Sequence, residues 1–273
     1  MRAWLVWSVG VLAYIIAVLH RTAFGVSGLA ATERFGISPA VLSGFVVLQL
    51  VVYAGMQIPA GVLLDRFGSR RMIAAGAVVL AVGQAILATT ESLPVAYLAR
   101  VLVGVGDSLT FISVLRLVPV WFAPRRVPVV SQLTGIFGQI GQILSAVPFV
   151  FLLTGPGWTA AYGSAAGLGL LACVLVLAVV RDAPPGKSRE TTAAGLREVL
   201  AGLGTVWRRP GTKLGFFTHM GTQFSLTTFA LMWGVPYLVS AQGLSPAAAG
   251  SMLTVSVVTA IAAGPILGVL SGR

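Results

Sequence analysis

The sequence predicts an all-α polytopic membrane protein, and three observations support this prediction. Of its 273 residues, 57% are hydrophobic and only 9% are charged, whereas roughly a quarter of the residues of a soluble domain are charged. The apolar residues form runs of the length that a bilayer core requires, about 20 residues per helix. The basic residues concentrate in alternate connections between those runs. Together these features exclude an ordinary soluble domain.

The apolar runs define the expected helices. They cover residues 4–30, 39–64, 72–90, 94–122, 128–153, 158–180, 214–240 and 246–270. The connections carry turn and helix-start signals, such as Ser38-Pro39 before the second run. The single cysteine, Cys173, lies inside the sixth run, where we expect an inert buried thiol.

A polar and basic segment from Arg181 to Lys213 separates the first six runs from the last two. Within it, Ala193 to Trp207 has apolar residues at helical spacing and is predicted to form an amphipathic surface helix. We therefore expect an N-terminal six-helix bundle at residues 1–181, a cytoplasmic linker at 182–212 and the start of a second, incomplete bundle at 213–273.

A short internal repeat supports two related bundles. Residues 61–66 read G-V-L-L-D-R and residues 268–273 read G-V-L-S-G-R, and a proline precedes each segment. Parallel repeats would make the second and eighth helices equivalent. We then expect four more helices in a complete transporter, and we expect residues 1–273 alone not to transport.

The positive charge is distributed in a way that fits a membrane protein rather than a nucleic-acid-binding protein. The net charge is +11, and 14 of the 18 basic residues fall in one set of alternate connections, whereas only Arg34 falls in the other set. Basic residues are enriched in cytoplasmic loops. The sequence therefore predicts a cytoplasmic N-terminus, a prokaryotic cytoplasmic membrane location and no nucleic-acid partner.

The connection between the second and third runs is the most specific motif. Residues 61–71 read G-V-L-L-D-R-F-G-S-R-R. The pattern G-x-L-x-D-R-x-G-x-R-R resembles the loop between the second and third helices of the major facilitator superfamily. The resemblance implies a transporter that works by alternating access and a role in conformational gating for this loop. With Arg100 of the fourth run added, the predicted gating residues are Gly61, Asp65, Arg66, Gly68, Arg70, Arg71 and Arg100.

The fourth run carries three charges, at Arg100, Asp107 and Arg116. Arg100 and Asp107 are seven residues apart, so they share a helix face at a separation of about 10 Å. Charged groups within a membrane span are costly and often functional. A carboxylate near the midplane suggests a proton-coupling site, and the alternative is a purely structural pair with an arginine.

Three segments resemble the anion:cation symporter family within that superfamily. They are R-V-L-V-G-V-G-D at 100–107, W-F-A-P-R-R at 121–126 and H-R-T-A-F-G-V at 20–26. The resemblance implies that Arg21 contacts an anionic substrate and that Asp107 takes part in proton coupling. His20 stands where the family has aspartate, and Asp107 where it has glutamate. Because histidine also titrates near neutral pH, His20 joins Asp107 as a proton-coupling candidate.

Polar residues on other runs predict the rest of a substrate cavity. Gln49 and Tyr53 repeat at helical spacing on the second run. Gln139 lies on the fifth run, and His219 and Gln223 lie on the seventh. Amides between membrane helices also serve as packing contacts, which is the alternative for each glutamine.

Nothing in the sequence indicates an enzyme, because it contains no metal-binding cluster, no nucleophile with an adjacent base and no phosphate-binding loop. We expect no cofactor. The expected partners are a small anionic substrate, protons and the lipid bilayer, with a monomer when full length. A multidrug or metabolite efflux antiporter and a non-transporting membrane sensor remain as alternatives.

Overall fold

A computed structural model of the protein describes residues 1–186 and 195–271, with the side chains of residues 39, 196, 223, 233 and 264–271 left undescribed. The described chain is built almost entirely from helices. They are α1 (Arg2–Val26), α2 (Gly28–Phe35), α3 (Pro39–Phe67), α4 (Ser69–Thr89), α5 (Leu93–Trp121), α6 (Val127–Gly138), α7 (Ile140–Leu144), α8 (Val150–Thr154), α9 (Trp158–Val179), α10 (Leu196–Arg208), α11 (Pro210–Thr228), α12 (Gly234–Ser240) and α13 (Pro246–Ser271).

Seven helices in the described part are long and apolar enough to span a membrane. They cover Arg2–Val26, Ala40–Phe67, Ser69–Thr89, Leu93–Trp121, Pro124–Thr154, Trp158–Val179 and Pro246–Ala263. The seventh predicted run, at 214–240, is helical in α11 and α12 but is not among these spans. Polar residues such as Lys213 and His219 lower the hydropathy of α11.

Local sequence signals explain several helix boundaries. α3 begins at Pro39, and the Ser38 hydroxyl accepts the backbone N–H of Val41 as an N-cap. The first run was predicted to be one helix over residues 4–30, but the structure divides it at Ser27, whose hydroxyl lies 2.5 Å from that of Tyr162. Pro148 lies in a π-helical turn at Ser145–Phe149, because proline supplies no backbone N–H for the regular ladder.

Helix α4 packs between α5 and α9, and α1 contacts α5, α7 and α9. The apolar core has two main parts. We call the end with Met1, residues 66–71 and residues 122–126 the basic end. One core cluster lies towards this end, around Trp7, Ile73 and Leu117.

The other core cluster lies towards the opposite end, around Phe24, Phe45 and Trp158. The buried residues between Ala230 and Val257 that join an apolar cluster all belong to this second one. Close backbone contacts occur there: a Cβ on Gly25 would lie 2.6 Å from the Ala230 carbonyl oxygen. Residues 230–257 therefore pack against the preceding helices at the end away from the basic loops.

Candidate functional site

Arg21 of α1 and Asp107 of α5 form an ion pair inside the bundle. Arg21 Nη1 lies 3.3 Å from Asp107 Oδ2, and the side chains are 18% and 1% exposed. Asp107 is the central residue of the 29-residue α5, so about 21 Å of helix extends on each side of it. Ionisable groups this deep in a membrane span are functional candidates by default.

Two tyrosines, one from α3 and one from α1, lie beside the pair. The Tyr53 ring of α3 lies 5.8 Å from the Arg21 guanidinium carbon, within the range of a cation–π contact. The Tyr14 hydroxyl lies beside Arg21, and its ring packs 4.8 Å from Phe111. Sequence reasoning predicted Tyr53 but missed Tyr14. The available signal was its spacing of seven residues from Arg21, which places both on one face of α1.

The Arg21–Asp107 pair retains unused bonding capacity. Asp107 Oδ1 is buried and has no hydrogen-bond partner among the described residues. A guanidinium has five N–H donors, and the pair with Asp107 uses one of its nitrogens. The site can therefore accept a proton on the acid and an anion on the arginine.

Arg100 occupies a separate buried position on α5. Its Nη2 donates to Gln49 Oε1 of α3, and its guanidinium carbon lies 4.6 Å from the Phe24 ring. Within the described chain, Arg100 Nε and Nη1 have no hydrogen-bond partner. Sequence spacing predicted Gln49 and Tyr53 on one substrate-facing side of α3. The structure instead buries Gln49 against Arg100, where it joins α3 to α5.

His20 does not join the Arg21–Asp107 pair. Its ring is fully buried, and Nε2 lies 2.8 Å from the Ala165 carbonyl oxygen of α9. Gln84 of α4 donates to the His20 carbonyl oxygen at 3.1 Å. Successive helix positions differ by 100° in direction, so His20 faces α4 and α9 whereas Arg21 faces α5.

The remaining cavity candidates are dispersed. Gln139 Oε1 accepts the Gln142 amide at 2.5 Å, an interaction within the α6–α7 segment. His219 is exposed on α11. The side chain of Gln223 lies outside the described part of the structure. In that part, the predicted residues that meet are Arg21, Tyr53 and Asp107, with Gln49 and Arg100 forming a second group.

The predicted gating loop carries an ion pair at the basic end. Asp65, near the end of α3, pairs with Arg116 of α5, and the two side chains are 32% and 34% exposed. This pair therefore joins α3 to α5. It is far more accessible to water than the Arg21–Asp107 pair, although both depend on residues of α5.

A glycine and a distant aspartate shape the turn between α3 and α4. Gly68 has φ +84°, a conformation that favours glycine, and a Cβ there would lie 2.6 Å from Asp182 Oδ2. The Arg70 backbone N–H donates to Asp182 Oδ1 at 2.8 Å, and its guanidinium donates to the Leu177 carbonyl oxygen. Sequence reasoning missed Asp182, although it is the one acid that directly follows the sixth run.

The other loop residues have less specific surroundings. The Arg66 guanidinium carbon lies 5.4 Å from the centre of the neighbouring Phe67 ring. Arg66 and Arg71 are both exposed. Gly61 is half-buried in α3, and a Cβ there would meet no atom within 4 Å. Close helix packing therefore does not explain Gly61. Within the described ranges, no three His, Cys, Asp or Glu side chains are arranged to hold a metal ion.

Comparison with curated proteins gives transporters at low identity. The chain is 22% identical over 272 residues to the probable sulfoacetate transporter SauU of Cupriavidus necator, covering 96% of this chain and 63% of that protein. It is 24% identical over 305 residues to the probable galactarate/D-glucarate transporter GudP of Escherichia coli K12, covering 99% and 66%. The chain thus spans about two thirds of the length of these relatives.

A solved structure and a family model agree on the fold. The crystal structure of a bacterial homologue of the human lysosomal transporter Spinster superposes with a TM-score of 0.68 at 18% identity, covering 91% of this chain and 58% of that one. The model of the Major Facilitator Superfamily matches residues 10–273. Both findings confirm the fold predicted from the loop at residues 61–71. The chain belongs to the Major Facilitator Superfamily.

Proposed function

We propose that the protein acts in secondary active transport, carrying a small organic anion across the membrane by alternating access with coupled proton uptake. The observation that carries this proposal is the Arg21–Asp107 pair at the centre of α5. It combines a permanent cation with an acid that can change charge, in a region where either group alone would be costly.

The substrate class follows from Arg21. A guanidinium matches the planar, two-oxygen geometry of carboxylates and binds other oxyanions by the same donors. The two relatives described above are named for sulfoacetate and for galactarate or D-glucarate. We therefore propose a small carboxylate or sulfonate as the substrate of this protein, with Tyr14 and Tyr53 flanking its charged group.

Proton coupling follows from competition for Arg21. When Asp107 is ionised, its carboxylate neutralises Arg21 and occupies part of the guanidinium. When Asp107 is protonated, Arg21 loses that counter-charge and binds the substrate anion instead. Both states keep the site close to neutral, which favours binding the anion and the proton together.

Conformational switching involves the basic end. The last helices pack into the core at the opposite end, so movement of the two bundles would alter access mainly at the basic end. We propose that Asp65 and Arg116 bias this equilibrium, together with the α3–α4 turn held by Asp182 and Gly68. Arg100 would transmit changes between α3 and α5 through Gln49.

The positive-inside rule supports a cytoplasmic basic end and a prokaryotic inner-membrane location. We further propose that residues 1–181 form the first bundle, 182–212 the linker and 213–273 part of the second bundle, in a protein that works as a monomer. These assignments predict that Met1 and Asp65 face the same side of the membrane as the linker.

The test is uptake by the full-length protein in vesicles. Labelled sulfoacetate or glucarate should accumulate when the outside is acidic, and a protonophore should abolish the accumulation. Accumulation driven by the inverted gradient would indicate an efflux antiporter. Binding without flux in either direction would indicate a sensor and overturn the transport proposal.

A further inference from the structure

The linker helix α10 presents an apolar face that is largely exposed. Four of its residues share one side of the helix, Leu200, Leu203, Val206 and Trp207, with exposed fractions of 49%, 41%, 48% and 43%. At 100° per residue they occupy about 120° of the helix circumference. A helix with such a face needs an apolar environment, which the described chain provides only in part, through contact of Trp207 with α11.

Two arginines run along one edge of this face. Arg197 and Arg208 are eleven residues apart, close to three full turns, so they lie in line on the same edge of α10. A cation near the last turn of a helix is favoured by the helix dipole, which accounts for Arg208 alone. Arg197 lies in the first turn, where the dipole disfavours a cation. An external anionic partner explains both positions.

The segment around these two arginines also carries a net positive charge. Residues 196–213 contain four basic residues, Arg197, Arg208, Arg209 and Lys213, and a single acid, Glu198. Glu198, Ala201 and Thr205 lie on the side opposite the apolar face. The helix therefore combines an apolar face, a basic edge and an opposite side of small or polar residues.

The position of α10 places this face beside the bilayer. α10 contacts α3, which spans the membrane and ends at the basic end. Arg209 is extended because it precedes Pro210, so the chain changes direction between α10 and α11. Trp207 packs edge-on against Phe216 of α11 at 5.2 Å, and aromatic side chains of this kind favour the membrane interface.

We propose that α10 binds an anionic bilayer surface, with its apolar face at the boundary between headgroups and acyl chains and with Arg197 and Arg208 on lipid phosphates. Interfacial helices have this combination of an apolar face and a basic polar side. Each basic residue near an anionic surface strengthens binding about fivefold. The proposal does not depend on transport activity.

Site-directed spin labelling of the full-length protein tests the proposal. With Cys173 replaced by alanine, a label at Leu203→Cys reports the apolar face and a label at Thr205→Cys reports the opposite side. In vesicles of phosphatidylcholine with phosphatidylglycerol, the first label should be accessible to oxygen and shielded from a water-soluble nickel chelate. The second label should show the reverse.

Charge dependence is tested by the double variant Arg197→Gln/Arg208→Gln. In those vesicles, the equilibrium constant between the immersed and the water-exposed position of the first label should fall by about 25-fold. The matched control is Arg125→Gln/Arg126→Gln, which removes the same charge from an exposed loop without an apolar face and should have little effect. In pure phosphatidylcholine, immersion of the unmodified helix should also fall.

Three outcomes would overturn the proposal. The label at position 203 could be open to the nickel chelate in both lipids. It could be immersed equally with and without anionic lipid. It could be shielded from both reagents, in detergent as well as in vesicles, which would mean that protein covers the face, either another segment of the chain or a second copy.

Discussion

Two arginine–carboxylate pairs depend on helix α5, and they differ chiefly in their access to water. Asp107 pairs with Arg21 at the centre of the helix and is 1% exposed, whereas Arg116 pairs with Asp65 at the basic end with about a third of each side chain exposed. Water and salt screen the second pair more strongly than the first, in which Arg21 is 18% exposed. The same chemistry therefore suits a binding site at one position and an adjustable contact at the other.

Buried and exposed pairs also respond differently when they are broken. Removing one member of a buried pair leaves a charge without compensation, which is strongly destabilising. Removing one member of an exposed pair costs at most about 1 kcal/mol. We therefore expect substitutions at Arg21 and Asp107 to change binding and coupling, and substitutions at the more accessible Asp65–Arg116 pair to change a conformational population.

The largest effect is expected for Asp107→Asn. Asparagine mimics the protonated acid and cannot exchange a proton, so accumulation driven by a pH gradient should be abolished. Exchange of labelled for unlabelled substrate should persist, because exchange requires no net proton movement. Both are measured in vesicles containing full-length protein. Accumulation by the variant against a substrate gradient would place the proton site elsewhere, with His20 the next residue to substitute.

A smaller effect is expected for Arg21→Ala. Loss of the counter-charge should weaken binding of sulfoacetate or glucarate by more than tenfold, equivalent to at least about 1.4 kcal/mol. Arg21→Lys keeps the charge but loses the planar donor geometry, so it should retain part of the affinity. Calorimetric titration in nanodiscs measures both. An unchanged dissociation constant in the alanine variant would remove Arg21 from the substrate site.

Asp65→Asn should change the conformational equilibrium rather than affinity. The ratio of inward-open to outward-open molecules should shift severalfold, since the ion pair biases a population. Substrate affinity should stay within about a factor of two, because a carrier site that binds its substrate similarly in both states is insensitive to the ratio between them. Cysteine probes at the basic end measure the ratio. Identical probe accessibility in variant and parent would argue against a gating role for Asp65.

The smallest effect concerns the direct energy of the exposed pair. A double-mutant cycle with Asp65→Asn and Arg116→Gln should give a coupling energy below about 1 kcal/mol in thermal unfolding. The coupling should decrease further at high salt. The corresponding cycle for Arg21 and Asp107 should give a larger value that salt hardly changes. Equal salt sensitivity of the two cycles would contradict the proposed difference in water access.

The sequence predicted most of the fold because membrane helices are local features. Seven of the eight apolar runs correspond to spans within a few residues at most boundaries, and the run at 214–240 does not. The first run extends beyond its helix, which ends before Ser27. The Ser27 hydroxyl contacts that of Tyr162 at this break, and hydropathy gives no sign of it. The amphipathic helix predicted from Ala193 to Trp207 is present as Leu196–Arg208, with residues 193 and 194 outside the described part.

The candidate site was predicted less completely, because it depends on how each helix is rotated. His20 and Arg21 are adjacent in the sequence and both were assigned to the cavity, yet His20 bonds to α9 and Arg21 to α5. Gln49 and Tyr53 share a helix side, but Gln49 contacts Arg100 and Tyr53 contacts Arg21. Tyr14 and Asp182 gained their roles only through partners distant in sequence.

The sequence by itself determined the class of protein, the position of the spans and the family, because these depend on run length, charge placement and a local loop motif. The tertiary structure decided which charges meet. Arg21, Arg100 and Arg116 are all arginines on or beside apolar runs, and nothing local distinguishes them. Their different environments, one paired with a central acid, one buried against an amide and one at the water boundary, arise because helix packing fixes the direction and burial of each side chain.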